Sequence, residues 1–270
     1  MPGIAIVNGK LVDPSAPAVS VFDAVVLHGD AYFETLRTYD GRPALLDQHL
    51  ERLSGAIAEA GFPDPPSSGD LADEVAAAIN EFSEGEVVVR VTVSRGVREL
   101  GLATEPEATT RIITADVIIA SKAGEDATVA IADAPGYAYP HKSANYQRQS
   151  GLLRNARESR FDEVLIADSD ELIEGATSNL FVITGDELAT PNLGRCLPGV
   201  TRRAVLDLAT ANGLRPVERA VTISDLDAAD GVFICNSLIE LRAVTNYGKN
   251  AVQIAPLREA LVSHYKEAAV

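Results

Sequence analysis

Apolar residues recur at two spacings along the chain, and each spacing predicts elements. Ile4–Val7 and 11–12 are short β-like runs on either side of Asn8-Gly9. That dipeptide suits a two-residue hairpin turn, where both positions need positive φ. Residues 33–39 and 43–46 flank Asp40-Gly41 in the same way. Asp47 fits an N-cap, and the helix after it carries Leu50, Leu53 and Ile57 on one face before Gly61 ends it. Leu71, Val75, Ile79 and Phe82 mark a second helix. Val87–Ser94 reads as a strand with Val87, Val89, Val91 and Val93 on one face and Val88, Arg90, Thr92 and Ser94 on the other. A further strand is expected at 111–120.

The small, polar and charged stretch 121–126 fits a linker between an N-terminal domain (1–120) and a C-terminal one (127–270). Beyond it a helical pattern covers about 144–159, with strands at 163–167, 172–173 and 179–183. Pro198-Gly199 precedes a helix through Val205 and Leu208 that stops near Asn212-Gly213. Strands are expected at 232–235 and 238–244, and a last helix from about Pro256. Without an internal repeat or regular βα alternation, the pattern is α+β in two domains.

Composition narrows the function classes. The net charge of −16 argues against nucleic acid, which needs clustered Lys and Arg. No apolar run approaches the roughly 18 residues of a membrane span, and Met1-Pro-Gly-Ile has no basic segment of the kind that opens a signal peptide. Two cysteines, Cys196 and Cys235, cannot build a disulfide framework, so a cytoplasmic setting is expected. No HExxH or CxxC occurs, and no metal site is expected. Only five lysines accompany eighteen arginines, so a catalytic lysine must be Lys10, Lys122, Lys142, Lys249 or Lys266.

Lys142 stands in Pro140-His-Lys-Ser-Ala-Asn-Tyr146, just before the helix expected at 144–159. Most lysines are solvated surface residues. One that bonds a cofactor as a Schiff base needs a ring partner and a phosphate site as well. Glu174 could serve the ring: a carboxylate facing a pyridine nitrogen keeps it protonated, although a strand-end glutamate facing water is the plainer reading. Pro198-Gly-Val-Thr201 could serve the phosphate, because a helix start offers free N–H groups to an anion and Gly199 lets the backbone come close. Arg52 could add a full charge, or be a surface arginine.

Taken in order, these segments resemble the fold type IV pyridoxal-phosphate family, which holds branched-chain aminotransferases, D-amino acid aminotransferases and aminodeoxychorismate lyases. The resemblance runs through Gly29-Asp-Ala-Tyr-Phe-Glu-Thr-Leu-Arg37, His49-Leu-Glu-Arg52, His141-Lys142, Asp162-Glu163, Glu174-Gly-Ala-Thr-Ser-Asn179-Leu-Phe181, Leu197-Pro-Gly-Val-Thr201-Arg202 and Ile234-Cys-Asn-Ser237. It implies a small N-terminal α/β domain and a larger C-terminal pseudo-barrel domain. It implies that Lys142 bonds pyridoxal 5'-phosphate and shuttles a proton, and that Glu174 pairs with the pyridine nitrogen. Arg52, Val200, Thr201 and Ser237 would hold the phosphate, and Tyr146 would hydrogen-bond the phenolic oxygen. The resemblance also implies a homodimer with residues of both chains at each site.

The resemblance leaves the reaction open. Gly29–Thr35 and 234–238 look closer to lyases, which release aminobenzoate and pyruvate. Ser94-Arg-Gly-Val-Arg-Glu-Leu-Gly101 departs from the glycine-rich segment expected of them. For a transaminase acting on an amino acid and a 2-oxo acid, Arg90 stands alone among valines, where it is costly unless it meets an anion. The other reading of Arg90 is an edge strand with its guanidinium in water. Arg37, Arg95 and Arg98 are further candidates to bind a substrate carboxylate. The absence of Trp and only 5% aromatics speak against a large aromatic pocket for branched side chains, and several arginines suit a D-amino acid. A branched-chain L-amino acid enzyme and an inactive cofactor-binding scaffold are the remaining readings.

Overall fold

A computed structural model describes residues 3–16, 18–101, 104–118, 122–248 and 254–268. Lys249, Ser121 and the end of the strand expected at 111–120 lie outside the described residues. The chain forms two compact units: Met1–Ala120 with His141–Asn145 and Tyr265–Val270, and Ser121–Pro140 with Tyr146–His264. The segment carrying Lys142 therefore groups with the first unit, where the sequence reading had put it in a C-terminal domain.

The first unit is a six-stranded antiparallel sheet backed by two helices. In chain order it contains β1 (Ile4–Val7), β2 (Lys10–Val12), α1 (Ala24–His28), β3 (Ala31–Tyr39), β4 (Arg42–Pro43), α2 (Leu46–Glu59), α3 (Ser68–Asn80), β5 (Val87–Ser94) and β6 (Thr110–Val117). The sheet order is β2-β1-β6-β5-β3-β4. Asn8-Gly9 and Asp40-Gly41 turn the two expected hairpins, all four residues with positive φ. The valines of one face of β5 pack with Leu36, Ile113 and the apolar faces of α2 and α3. α3 starts with a reciprocal capping box between Ser67 and Asp70.

Two details depart from the sequence reading. Leu45, not Asp47, is the N-cap of α2, in the left-handed region at φ 52°, and Asp47 sits in the first turn. That backbone reversal ends β4 at Pro43, so 43–46 is not a strand. β5 lies between β3 and β6 rather than at an edge, so Arg90 is not an edge residue.

The second unit holds β7 (Val129–Asp133), α4 (Gln147–Glu158), β8 (Glu163–Asp168), β9 (Glu171–Gly175), β10 (Asn179–Thr184), β11 (Glu187–Thr190), α5 (Val200–Ala209), β12 (Arg215–Glu218), β13 (Val221–Thr222), α6 (Ile223–Ala228), β14 (Gly231–Asn236) and β15 (Glu240–Ala243). The final helix, α7, spans Ala255–Ala268. One sheet has the order β12-β11-β10-β14-β15 and the other β13-β9-β8-β7. β7 and β8 pair in parallel across α4, and β11 and β12 across α5, so two βαβ crossovers sit among hairpins. Leu165, Ala167, Leu172, Leu180, Val182, Val232 and Ile234 share one core drawn from both sheets. Val164, Ile166 and Ile173 pack with Ala156, Leu152 and Leu153 of α4 in another. β8 is thus apolar on both faces, which explains why it reads as a continuous hydrophobic run.

Candidate active site

In the first unit the segment after His141 docks on β3. Phe33 N–H donates to Lys142 O at 2.9 Å and Ala144 N–H to Ala31 O at 2.8 Å. β4 pairs only with the far end of β3, at Thr38 and Tyr39. The edge at Ala31–Phe33 is left for this short strand-like addition, which fixes the Lys142 backbone. The Lys142 Nζ lies 4.6 Å from the centre of the Phe33 ring. Arg90 meets that ring too, its Cζ 3.5 Å from the centre, and its Nε donates to Thr92 Oγ1 at 3.2 Å. The buried strand residue Phe33 thereby links the lysine to the arginine that stood out among valines. Registers Thr35↔Arg90 and Arg37↔Val88 put Arg37 on the same sheet face, one diagonal step from Arg90. The Arg37 guanidinium stacks 4.7 Å from the Tyr39 ring centre.

The opposite face of β3 carries Glu34, 1% exposed and directed at α2. Arg52 grips it with two donors, Nε to Oε1 at 2.7 Å and Nη2 to Oε2 at 2.6 Å. His49 Nδ1 sits 2.7 Å from Oε2. His49 and Arg52 are three apart on α2 and so share a face. Burial alone would raise the Glu34 carboxyl, but the Arg52 charge and the His49 contact outweigh it and hold the group at about 2. Burial pushes His49 down, which keeps its ring neutral and suits it to donate from Nδ1. Neither Glu34 nor His49 was singled out for a role from sequence. The signal was there: Glu34 alternates with Tyr32 and Leu36 on the helix-facing side of a strand, and a carboxylate there needs a cationic partner.

Arg95 and Arg98 serve differently. Arg95 donates to Asp30 Oδ2 at 2.8 Å, Ala60 O at 3.0 Å and Gly61 O at 3.1 Å. It closes the C-terminal end of α2, where a cation complements the helix dipole. Arg98 is buried and donates from Nη1 to Thr104 O at 3.4 Å, and its backbone N–H binds Phe22 O. Both line a depression with Asp30, Tyr32, Glu105, Ser143 and Asn145.

In the second unit Glu174 stands on β9, 4% exposed, so the water-facing reading does not hold. Its Oε1 accepts from Tyr137 Oη at 2.8 Å and its Oε2 from Leu197 N–H at 2.9 Å. The backbone after Leu197 is pinned by Asn179, whose Nδ2 donates to Leu197 O at 2.9 Å. α5 begins at Gly199 without a capping side chain. A Cβ on Gly199 would come within 1.9 Å of Asn179 Oδ1, so a larger residue would have to displace that side chain. Val200 and Thr201 open α5, and Thr201 Oγ1 lies 3.4 Å from Ser237 Oγ. Those hydroxyls and the helix start form one polar cluster, as their spacing in the sequence could not show. Tyr146 Oη donates to Ala176 O at 2.8 Å, in the turn just after Glu174. Buried Glu163 holds that turn from behind, accepting from Thr177 N–H, Thr177 Oγ1 and Ser178 Oγ.

The family model described as amino-transferase class IV matches residues 31–247. A putative branched-chain-amino-acid aminotransferase of Methanocaldococcus jannaschii is 30% identical, over 96% of this chain and 94% of its own. A D-alanine aminotransferase of Bacillus licheniformis is 31% identical over 88% of this chain and 86% of its own. An aminodeoxychorismate lyase of Bacillus subtilis is 26% identical over 91% and 88%. Among solved structures, a hypothetical aminotransferase from Mycobacterium tuberculosis in its alpha-ketoglutarate and PMP bound form superposes with a TM-score of 0.86. At 23% identity, with 97% of this chain and 98% of that one covered, it shows the fold. The chain shares the fold of the fold type IV transaminases and belongs to the class IV aminotransferase family.

Proposed function

We propose that this chain is a pyridoxal-phosphate-dependent transaminase that moves an amino group from an amino acid to a 2-oxo acid. The observation that carries the reading is the contact of Lys142 and Arg90 with one buried ring, Phe33. An amine able to bond an aldehyde and a guanidinium able to bind a carboxylate are the two groups an amino acid substrate requires.

The donor set fits the cofactor. α5 starts at Gly199 without a capping side chain, so its first N–H groups could bind a phosphate, and the Thr201 and Ser237 hydroxyls lie at that start. Glu174 is a buried carboxylate already oriented by two donors. When bound, pyridoxal phosphate supplies an aldehyde for the Lys142 amine and a ring that withdraws electrons from the substrate Cα. In this reading Glu174 holds a proton on the ring nitrogen, and Lys142 takes the Cα proton and returns it. Arg52, Val200, Thr201 and Ser237 bind phosphate, and Tyr146 borders the cofactor's phenolic oxygen. Arg90, with Arg37 beside it, orients the substrate carboxylate.

The branched-chain and D-alanine relatives leave the handedness of the amino acid to experiment, and several arginines with few aromatics favour a D-amino acid. The second reading is the lyase, supported by the Bacillus subtilis relative and by the lyase-like segments Gly29–Thr35 and 234–238. A screen of D- and L-amino acids with 2-oxoglutarate or pyruvate, run beside an assay for aminobenzoate release, decides. Amino transfer is expected. Aminobenzoate release without any transamination would sink the transaminase reading. We infer further that the enzyme works as a cytoplasmic homodimer.

A further inference from the structure

The Glu174 carboxylate is held by a hydrogen-bond relay that no part of the family resemblance required. Tyr137 lies on the loop after β7, 2% exposed, and its hydroxyl donates to Glu174 Oε1 at 2.8 Å. Gln149, 3% exposed on α4, donates from Nε2 to the Tyr137 oxygen at 3.2 Å. Leu197 N–H donates to the other carboxylate oxygen at 2.9 Å. Three segments of the second unit thus converge on one carboxylate: the β7–α4 loop, α4 and the stretch before α5. The tyrosine is fixed in its turn, since Arg195 Nε donates to Tyr137 O at 3.2 Å and the Tyr137 N–H to Ala134 O at 3.0 Å. The Tyr137–Glu174 and Gln149–Tyr137 bonds are buried, where they resist competition from water.

We propose that Tyr137, seconded by Gln149, is a positioning residue that keeps Glu174 ionised and so keeps the cofactor's ring nitrogen protonated. The inference rests on the reading of Glu174 as the ring-nitrogen partner. A proton shared between a pyridine nitrogen and a carboxylate goes to the more basic of the two. Burial makes a carboxylate more basic. Each hydrogen bond donated to the anion makes it less so. The Tyr137 hydroxyl and the Leu197 N–H act in the second sense, one on each oxygen, and favour the pyridinium over the neutral pair. The amide of Gln149 strengthens the phenol as a donor by engaging its oxygen.

Tyr137 does not compete for the role of anion. Burial, then the charge of Glu174, push its phenol well above the ordinary tyrosine range. The neighbouring Cys196 thiol is pushed up to about 11, by burial first and then by the negative charge of Glu174, so it also stays neutral. The groups around the carboxylate therefore give hydrogen bonds without supplying a rival negative charge.

The test uses holoenzyme loaded with cofactor labelled with nitrogen-15 in the ring, whose chemical shift reports protonation directly. It compares wild type, Tyr137→Phe, Gln149→Leu and Glu174→Gln. Tyr137→Phe is expected to move the ring-nitrogen resonance toward the unprotonated value and to slow the first half-reaction roughly tenfold. Gln149→Leu should give a smaller shift in the same direction. Glu174→Gln should give the largest. An unchanged resonance in Tyr137→Phe beside a shifted one in Glu174→Gln overturns the role of Tyr137 and leaves that of Glu174 standing. Unchanged resonances in both overturn the Glu174 reading, and this inference with it. If Tyr137→Phe does not fold, Gln149→Leu decides by the same signal, an unshifted resonance counting against the relay.

Discussion

Arg52 was legible in the sequence as a cation on a helix face, but its second partner was not. Two of its donors hold buried Glu34, so its removal strands a carboxylate in the first-unit core as well as weakening any phosphate contact. Breaking a buried pair in this way typically costs on the order of 3 kcal/mol. Arg52→Ala is therefore expected to lower the stability of the cofactor-free protein by about that amount in urea unfolding. Its affinity for pyridoxal phosphate should fall about ten- to a hundredfold. Arg52→Lys keeps the charge but loses the bidentate geometry and should fall between. Unchanged unfolding of apo Arg52→Ala would show that His49 alone suffices for Glu34. The same triad sets an acid limit. Glu34 titrates at about 2, below its ordinary value of 4.5. Its stabilising contribution is complete above pH 4.5 and is lost as the pH falls toward 2. By linkage that contribution is on the order of 3 kcal/mol at neutral pH. Unfolding free energies of wild type and Glu34→Gln, measured from pH 6 downward, should converge across this window. Parallel curves would assign the acid sensitivity elsewhere.

Among elements, legibility followed the physics of each signal. Asn8-Gly9 and Asp40-Gly41 were readable because few dipeptides accept two positive φ values in succession. β5 was readable from period-two valines. β12 escaped because it contains Pro216, which a strand tolerates only at an edge, and β12 is the edge of its sheet. β7 escaped because its five residues are flanked by loops and paired only in parallel with β8, a contact far along the sequence. Asp47 looked like a cap because its side chain favours one, whereas the chain entered α2 through Leu45 in a left-handed conformation that sequence does not mark. In the candidate site, the order of the motifs singled out Lys142, Glu174, Thr201 and Ser237 one by one, but not the approach of the last two hydroxyls to each other. Tyr137 was not legible, since nothing local relates a loop tyrosine to a glutamate on β9. The start of α5 tests this scale. Gly199→Ala must displace Asn179, whose amide holds Leu197 and, through that stretch, the Glu174 contact. Affinity for both pyridoxal phosphate and inorganic phosphate is expected to fall at least tenfold in Gly199→Ala, with the melting temperature lowered. Retained affinity for both would place the phosphate away from α5.

For the whole molecule, no helix among the described residues is long and apolar enough to cross a membrane, and the exposed apolar side chains are concentrated in one part of the first unit. Val21, Phe22, Val26, Val97 and Leu100 are each between 48% and 73% exposed. Their backbones are tied together, Ala24 N–H to Gly96 O and Arg98 N–H to Phe22 O. They therefore lie near one another, on α1, the turn before it and the loop after β5. Scattered exposed apolar residues are ordinary, but a contiguous set marks an interaction surface. With a charge of −16 on each chain, two copies would associate only if apolar burial outweighed repulsion, which salt reduces. The proposed homodimer is expected to use this patch. Val26→Glu with Leu100→Glu should then shift sedimentation toward monomer at micromolar concentration, most strongly at low salt. The variant chain should keep its unfolding midpoint in a cofactor-free monomer, since both side chains are exposed. A wild type that sediments as a monomer at all concentrations would refute the dimer. A dimer unaffected by both charges would move its interface off this patch.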